Sequence, residues 1–243
     1  MKLWVSSLIN NMLVYGKNVA KDLLKNNKDV RKIYFQEGFS DNDIILLSEK
    51  LNIPVNYCSK KEMDRLCSGV HQGIILDIPD FSYYDFKRFL NEDISNVVIL
   101  DHIEDPHNFG AIIRTCEAAG IEYIIIPKDR QVPVNATVMK TSVGTLDTVK
   151  IISVTNLVNT IEQLKKVGFW IVGTTLENSV DYRDVDYSGK IALIIGNEGA
   201  GMSQLVRKKC DYLVKIPMYG KTNSLNASVA AGIMIYEMIR NRK

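Results

Sequence analysis

Six short apolar runs, rich in valine and isoleucine, recur between residues 96 and 217 of the chain. They read VVIL, YIIIP, VKII, FWIVG, IALIIG and YLVKIP. Such runs are typical of strands that are buried on both faces of a parallel sheet. Segments with helical spacing separate most of them: FGAIIRTCEAA, the residues around ATVMKTSV, NLVNTIEQLKK and MSQLVRKKC. This alternation predicts a doubly wound α/β domain with a parallel sheet over residues 96–243.

The preceding part of the chain has a different pattern. Two helical segments, NVAKDLLKN and DNDIILLSEKLN, are mixed with three strand-like segments, RKIYFQE, PVNYCS and GIILDIP. The stretch PDFSYYDFKRFLNEDIS then interrupts the pattern with aromatic and charged residues. We therefore expect a small α/β domain at residues 1–80, a linker at 81–95 and the parallel-sheet domain at 96–243.

The composition narrows the class of protein but not its partner. With 243 residues, 46% hydrophobic and 24% charged, the chain can bury a substantial core. A net charge of +2 neither requires nor excludes an RNA partner. The four cysteines form no CxxC pair, which argues against a zinc or redox site. The start MKLWVSSLINNML lacks the features of a signal peptide, and no apolar run approaches the ~20 residues of a membrane span. We expect a cytoplasmic protein with reduced thiols.

Polar loops that directly follow strands are candidate sites, because ligands of such domains bind beyond the carboxyl ends of the strands. The first is DHIEDPHNFGAIIRT. Asn108 is the expected N-cap of the helix, and Gly120 the expected residue just past its end. Arg114 is expected near the positive N-terminal end, among mostly small neighbours. It meets either an approaching ligand or Glu117 in a surface ion pair.

The second loop is LIIGNEGAGMS. Its glycines at 196, 199 and 201 allow close approach of the backbone to a ligand and expose amides near a helix start. The spacing G-x-x-G-x-G differs from the dinucleotide fingerprint G-x-G-x-x-G, and Glu198 would repel a pyrophosphate. The loop favours a cationic or amino-bearing ligand; the alternative is a flexible turn.

The third loop lies in IPMYGKTNSLNASVAAGIMIYEMIR. The letters GKT resemble the end of a P-loop, but Lys215 occupies the position of the first glycine, so that interpretation fails. Ser224 and Asn226 flank a helix start, where each is able to cap the helix or contact a ligand. Capping requires only one of the two.

Acidic residues and histidines cluster at Asp101, His102, Glu104, Asp105 and His107. Divalent metal sites gather ligands at ~2.0–2.2 Å, usually from several elements, and no HxH or HExxH spacing occurs here. We expect no metal site. A metal-dependent hydrolase that uses this cluster is the weaker alternative.

Together the three loops resemble one family. N-x-x-G-A-x-x-R-T, G-N-E-G-x-G and I-P-M…S-L-N-x-S-x-A occur in the order found in SpoU (TrmH-type) RNA methyltransferases, a branch of the SPOUT superfamily. The similarity extends over nearly the whole chain. PHNFGAIIRTCEAAG, IPKDR, SVTNL, GFWIVG and VHQGI are most similar to the RlmB group, the 23S rRNA guanosine 2′-O-methyltransferases.

This resemblance implies S-adenosylmethionine as methyl donor, a homodimer, an RNA-binding N-terminal domain and a C-terminal segment threaded through a trefoil knot. The implied catalytic residues are Asn108, Arg114, Glu198, Ser224 and Asn226. The implied cofactor-binding residues are Thr174, Gly196, Ile216, Leu225 and again Asn226.

The resemblance also implies that Arg114 acts as general base. A guanidinium rarely gives up its proton, because its pKa lies above ~12. Its fork of donors suits a phosphate or a developing alkoxide, so an orienting and charge-stabilising role is the physically simpler one. Two alternatives stay open: a tRNA 2′-O-ribose methyltransferase of the same family, and an RNA-binding protein without catalysis.

Overall fold

The computed structural model describes residues 11–67 and 69–241. Residues 1–10, on which the argument against a signal peptide depends, lie outside this range. The described chain forms two units. The first contains residues up to Ser82 together with Val134–Gly144, and the second contains Tyr83–Pro133 together with the chain from Thr145 onward. Within the described ranges, no helix has the length and apolar character needed to cross a bilayer.

The first unit is built on a mixed four-stranded sheet. Its strands are β1 (Asn11–Tyr15), β2 (Lys32–Gln36), β3 (Val55–Cys58) and β4 (Ile74–Pro79), and helices α1 (Lys17–Lys25), α2 (Asn42–Lys50) and α3 (Lys60–Leu66) connect them. The order is β1-β4-β2-β3, with β2 and β3 parallel and the other pairs antiparallel. The predicted strands and helices are confirmed. The edge strand β1 was not predicted, because Val14 is its one buried residue and so leaves no alternation to read.

The second unit confirms the predicted parallel-sheet α/β fold. Its seven strands are β5 (Asn96–Asp101), β6 (Tyr123–Pro127), β7 (Lys150–Val154), β8 (Trp170–Thr174), β9 (Val180–Asp181), β10 (Ile191–Gly196) and β11 (Tyr212–Lys215). Their order is β7-β6-β5-β10-β8-β11-β9, and each neighbouring pair is parallel. The helices of this unit are α4 (Phe86–Phe89), α5 (Pro106–Ala118), α7 (Leu157–Lys166), α8 (Gln204–Arg207) and α9 (Ala227–Met238).

The centre of the large sheet explains the uninterrupted apolar runs. Residues 97–100 of β5 have no exposed surface, so both faces of the strand are covered. Each such side chain contributes roughly 1.5–3 kcal/mol by burial. Strand β10 lies beside β5 in a register that pairs Asp101 with Gly196. The loops after these two strands therefore begin side by side, at the carboxyl edge of the sheet.

The unit boundaries differ from the expected ones in two places. The segment expected to be a linker belongs to the second unit: Phe89 is 1% exposed in its core, and Tyr84 and Leu90 pack around that core. The residues of α6 (Ala136–Ser142), expected in the parallel-sheet domain, belong to the first unit, where Met139 packs against the core. Both differences arise because an amphipathic segment does not encode in its own pattern which apolar surface it will cover.

Candidate active site

A cavity of about 460 Å³ opens at the carboxyl ends of β8, β10 and β11. This size is within the ~300–1,000 Å³ range of small-molecule sites. Three segments line it: the end of β8 with the residues after it, the loop after β10, and the chain between β11 and α9. The sequence-predicted residues among its lining are Thr174, Gly196, Glu198, Ile216, Ser224 and Leu225. The second and third loops thus meet in one cavity.

Only glycine fits at the start of the loop after β10. A Cβ atom on Gly196 would lie 2.5 Å from the backbone nitrogen of Met202 and 2.6 Å from the carbonyl carbon of Gly201. The loop closes on itself, because Asn197 and Gly201 exchange backbone hydrogen bonds of 3.1 and 3.0 Å. The predicted close backbone approach at Gly196 is therefore an approach to the loop's own backbone, which turns the loop sharply at the cavity wall.

A hydrogen-bonded chain of three side chains connects the three sequence loops. Asn108 donates from Nδ2 to Glu198 Oε1 at 2.6 Å, and Asn226 donates from Nδ2 to Asn108 Oδ1 at 2.9 Å. Asn226 Oδ1 in turn accepts the backbone N–H of Ser228 at 2.9 Å and of Val229 at 3.3 Å. The carboxylate of the second loop is thereby linked, through α5, to the start of α9.

Asn108 is not the N-cap that we expected. Asp105 caps α5 by accepting the backbone N–H of His107 at 2.9 Å, and Pro106 begins the helix. A proline is favourable in the first helical turn, because its missing N–H needs no partner there. Asn108 therefore lies inside the first turn, buried, with its side chain directed to Glu198. Gly120 has a φ of +68°, which confirms its expected place just past the end of the helix.

Arg114 lies in the second half of α5, not near its N-terminal end as expected. The mistake follows from placing the helix start at Asn108. Arg114 is exposed. Across residues 11–67 and 69–241 its guanidinium has no hydrogen bond or ion pair, and so the alternative of an ion pair with Glu117 is not realised. Neither Arg114 nor Asn108 lines the cavity, but Asn108 is hydrogen-bonded to Glu198, which does.

The third loop resolves into one cap and one cavity residue. Asn226 is the N-cap of α9, and its side chain serves both the helix and Asn108. Ser224, two residues earlier, lines the cavity. Asn226 itself is absent from the lining, although its neighbours Leu225 and Ala227 are part of it.

Among the described residues, two of the four charged side chains that line the cavity form an ion pair with each other. Arg207 donates to the Glu177 carboxylate at 3.1 Å and to its backbone oxygen at 2.8 Å. At β9, hydrogen bonds from Arg183 hold the pKa of Asp181 at about 2, so this carboxylate is ionised at neutral pH. Behind β8, burial raises the pKa of the Cys210 thiol to about 12, and the group is a neutral packing element. In the described part of the chain, no three His, Cys, Asp or Glu side chains are arranged to hold a metal ion.

Sequence reasoning missed Asn197 and gave Asp101 only a possible metal role. Both take part in the loop after β10: Asp101 accepts the backbone N–H of Ser203 at 2.7 Å, and Asn197 donates to the backbone oxygen of His102 at 2.8 Å. One signal was present in the sequence. A carboxylate directly after a fully apolar strand must find buried partners.

Two family models cover most of the chain. Residues 95–236 match the SpoU rRNA Methylase family, and residues 13–84 match a model described as RNA 2'-O ribose methyltransferase substrate binding. A Staphylococcus haemolyticus protein assigned to the TrmH family of tRNA/rRNA methyltransferases is 41% identical over 242 residues, covering 96% of this chain and 97% of the relative.

Solved structures have the same fold. An rRNA methyltransferase from Sinorhizobium meliloti, bound to AdoMet, is 25% identical with a TM-score of 0.79, covering 96% of this chain and 88% of that one. The SpoU methyltransferase AviRb from Streptomyces viridochromogenes, in complex with the cofactor AdoMet, is 26% identical with a TM-score of 0.76, covering 96% and 90%. A TrmH/SpoU tRNA modifying enzyme from A. aeolicus is 35% identical with a TM-score of 0.56, covering 65% and 82%. With its three loops joined by hydrogen bonds beside one cavity and a family model matching residues 95–236, the chain belongs to the SpoU (TrmH) family of RNA methyltransferases.

Proposed function

We propose that this protein transfers a methyl group from S-adenosylmethionine to the 2′-hydroxyl of a ribose in structured RNA, with a guanosine of 23S rRNA as the favoured target. The observation that carries the proposal is the hydrogen-bonded chain Glu198–Asn108–Asn226, which joins three distant loops beside the cavity that Glu198 lines. The two AdoMet-bound structures described above support the choice of cofactor.

The residues at the cavity fit S-adenosylmethionine. Apolar side chains such as Leu176, Ile195 and Leu225 offer a surface for the adenine ring, and the glycine loop brings backbone N–H and C=O groups to the wall. Glu198 adds a carboxylate, which suits a cationic sulfonium and an amino group better than a phosphate. We assign cofactor binding to the segments around Thr174, Gly196, Ile216 and Leu225.

Bound S-adenosylmethionine supplies an electrophilic methyl group on sulfur. The protein must hold the ribose 2′-oxygen in line with that methyl, and positioning of this kind can provide much of the acceleration. Arg114 is free to receive RNA, because its exposed guanidinium has no partner within the described residues. We assign it to a phosphate of the substrate and to the negative charge that develops on the 2′-oxygen.

The remaining predicted residues have different tasks. Asn108 uses both ends of its side-chain amide for Glu198 and Asn226, so it positions the carboxylate instead of contacting RNA. Glu198 and Ser224 line the cavity, and we assign them to orienting the substrate beside the methyl group. Asn226 caps α9, and we assign it to holding the preceding residues, Ser224 and Leu225, at the cavity.

Binding of RNA is assigned to the first unit, supported by the substrate-binding family model over residues 13–84. A homodimer and the trefoil knot complete the proposal, on the family resemblance alone. Transfer RNA is the second candidate substrate, favoured by the 35% identity to the A. aeolicus tRNA modifying enzyme.

Two measurements test the proposal. Calorimetry with S-adenosylmethionine should give a binding heat, whereas an RNA-binding protein without catalysis or a hydrolase should give none. Mapping of 2′-O-methyl sites in cellular RNA, with and without the gene, should reveal one site that depends on the protein. A dependent site in tRNA would replace the rRNA assignment, and binding heat without any dependent site would contradict the proposed reaction.

A further inference from the structure

The carboxylate of Asp101 is fully buried at the end of β5. Its Oδ2 accepts the backbone N–H of Ser203 at 2.7 Å, whereas its Oδ1 lies 2.5 Å from His102 Nδ1 without forming a hydrogen bond. A buried carboxylate is costly unless it is hydrogen-bonded, and the N–H of Ser203 supplies that bond. Asp101 is also paired in register with Gly196. Asp101 therefore lies at both ends of the loop of residues 196–203. It is beside Gly196 in the sheet, and its side chain accepts a hydrogen bond from Ser203.

The side chain of Asn197 stabilises the same loop by hydrogen bonds with its backbone. Its Oδ1 accepts the backbone N–H groups of Gly199 at 2.9 Å and of Ala200 at 3.0 Å, and its Nδ2 donates to the backbone oxygen of His102 at 2.8 Å. His102 has a φ of +66°, a conformation that residues other than glycine rarely adopt and that surrounding contacts must maintain. The contact of its ring with Asp101 and of its carbonyl with Asn197 are two such contacts.

We infer that Asp101 is a positioning residue for S-adenosylmethionine binding, acting through the loop of residues 196–203. The inference rests on the proposed function. Residues 196–202 line the cavity, but Asp101 does not. The Asp101 carboxylate holds the end of the loop by its hydrogen bond with Ser203. Asn197 links His102 to the middle of the loop, because its side chain bonds both the His102 backbone oxygen and the N–H groups of Gly199 and Ala200. Loss of the Asp101 charge turns its charge-assisted hydrogen bond with Ser203 into a weaker neutral one, while leaving the strand and its apolar neighbours in place.

Asp101→Asn tests this inference, because the amide has nearly the same shape but offers one acceptor oxygen instead of two. Asp211→Asn is the matched control. Asp211 also accepts a backbone N–H, from Ile171 at 2.9 Å, and pairs with Lys165 at 2.6 Å, but it lies at the amino ends of β8 and β11, away from the cavity. Both variants lose a structural carboxylate, and only one of them borders the loop.

Calorimetric affinity for S-adenosylmethionine and the two KM values are measured on the full chain. For Asp101→Asn we expect cofactor affinity to fall roughly tenfold, the loss expected when a charge-assisted hydrogen bond becomes a neutral one. The KM for S-adenosylmethionine should rise accordingly and the KM for RNA should stay unchanged, a split that general destabilisation does not produce. Asp211→Asn should keep cofactor affinity.

Wild-type cofactor affinity in Asp101→Asn, or an equal loss in Asp211→Asn, overturns the inference. If Asp101→Asn does not fold, Ser203→Pro decides. Ser203 does not line the cavity, its φ of −61° suits proline, and the change removes the N–H that Asp101 accepts, so it should weaken cofactor binding in the same way. Failure of the unchanged protein to bind S-adenosylmethionine would refute the proposed function and the inference with it. Binding by the unchanged protein, with no effect of either variant, would refute the inference alone.

Discussion

Asn108 donates a hydrogen bond of 2.6 Å to Glu198, across 90 residues of sequence. The same amide accepts from Asn226, so each end of the Asn108 side chain has one partner and its orientation is determined. Asn108 thereby holds one oxygen of the Glu198 carboxylate in place, at a residue that lines the cavity. The relationship makes Asn108 the point at which the three loops are coupled.

Replacement of Asn108 by Asp should convert this contact into repulsion. Two carboxylates at hydrogen-bond distance raise the pKa of one of them, so at neutral pH the pair separates and methyl transfer should fall by ~10²-fold. Below the raised pKa one group is protonated and again donates, so part of the activity should return as the pH falls. The pH dependence of kcat/KM measures this effect. Asn108→Ala should show the loss without the recovery, and identical profiles for the two variants would contradict the coupling.

Two substitutions at Asn226 should separate its two tasks. Asp is as good an N-cap as Asn, so Asn226→Asp should retain the stability of α9, but it has no N–H for Asn108. Asn226→Ala should lose both and cost about 1 kcal/mol of unfolding free energy. Urea unfolding and methyl-transfer assays on both variants give the comparison. The assignment is wrong if Asn226→Asp transfers methyl groups at the wild-type rate.

Arg114→Ala should retain S-adenosylmethionine affinity and lose methyl transfer by ~10²–10³-fold, as expected for removal of one charge-stabilising donor. Arg114→Lys should also be poor, because a single ammonium does not reproduce the guanidinium fork. Calorimetry and single-turnover kinetics distinguish the two effects. Glu117→Ala, on the same helix and without an ion pair to Arg114, is the control and should behave like wild type. Unchanged turnover in Arg114→Ala would remove this residue from the mechanism.

Alanine at Gly196 and at Gly199 should have unequal effects on stability. At Gly196 the new Cβ would overlap backbone atoms of Gly201 and Met202, so we expect a loss of ~1–3 kcal/mol. At Gly199 the nearest atom is Asn197 Oδ1, at an ordinary contact distance of 3.6 Å, and the loss should be much smaller. Urea unfolding of the free protein measures both. Equal losses would mean that the loop is not closed on its own backbone.

Local patterns predicted the strands well, because strands such as β5 and β10 are buried on both faces and carry the signal in every residue. Of the predicted site residues, Gly196, Ser224 and Leu225 share a cavity, whereas Asn108, Arg114 and Asn226 are not part of its lining. The pairing of Asn108 with Glu198 was not predictable from either segment. Hydrogen bonds between distant loops depend on strand order, and strand order is set by packing of the whole unit.

The start of α5 was predicted too far along the chain, and for that reason Arg114 was placed too close to the N-terminal end of the helix. Asp105 and Pro106 form a stronger start signal than Asn108, since an Asp cap followed by proline satisfies the first turn. Asn108 is the first residue of the motif N-x-x-G-A-x-x-R-T, but it does not cap the helix. Its burial indicates the opposite role: a residue directed inward to another loop is unavailable to close a helix end.

Because residues 134–144 belong to the first unit, a single cut in the chain does not separate the two units. The chain crosses between the units three times, so neither unit is one continuous stretch of gene. A truncation that begins after Ser82 would leave α6 without the core that Ala136 and Met139 cover, and would expose those side chains to solvent. Expression of the catalytic half alone therefore requires replacement of residues 134–144 by a short polar loop.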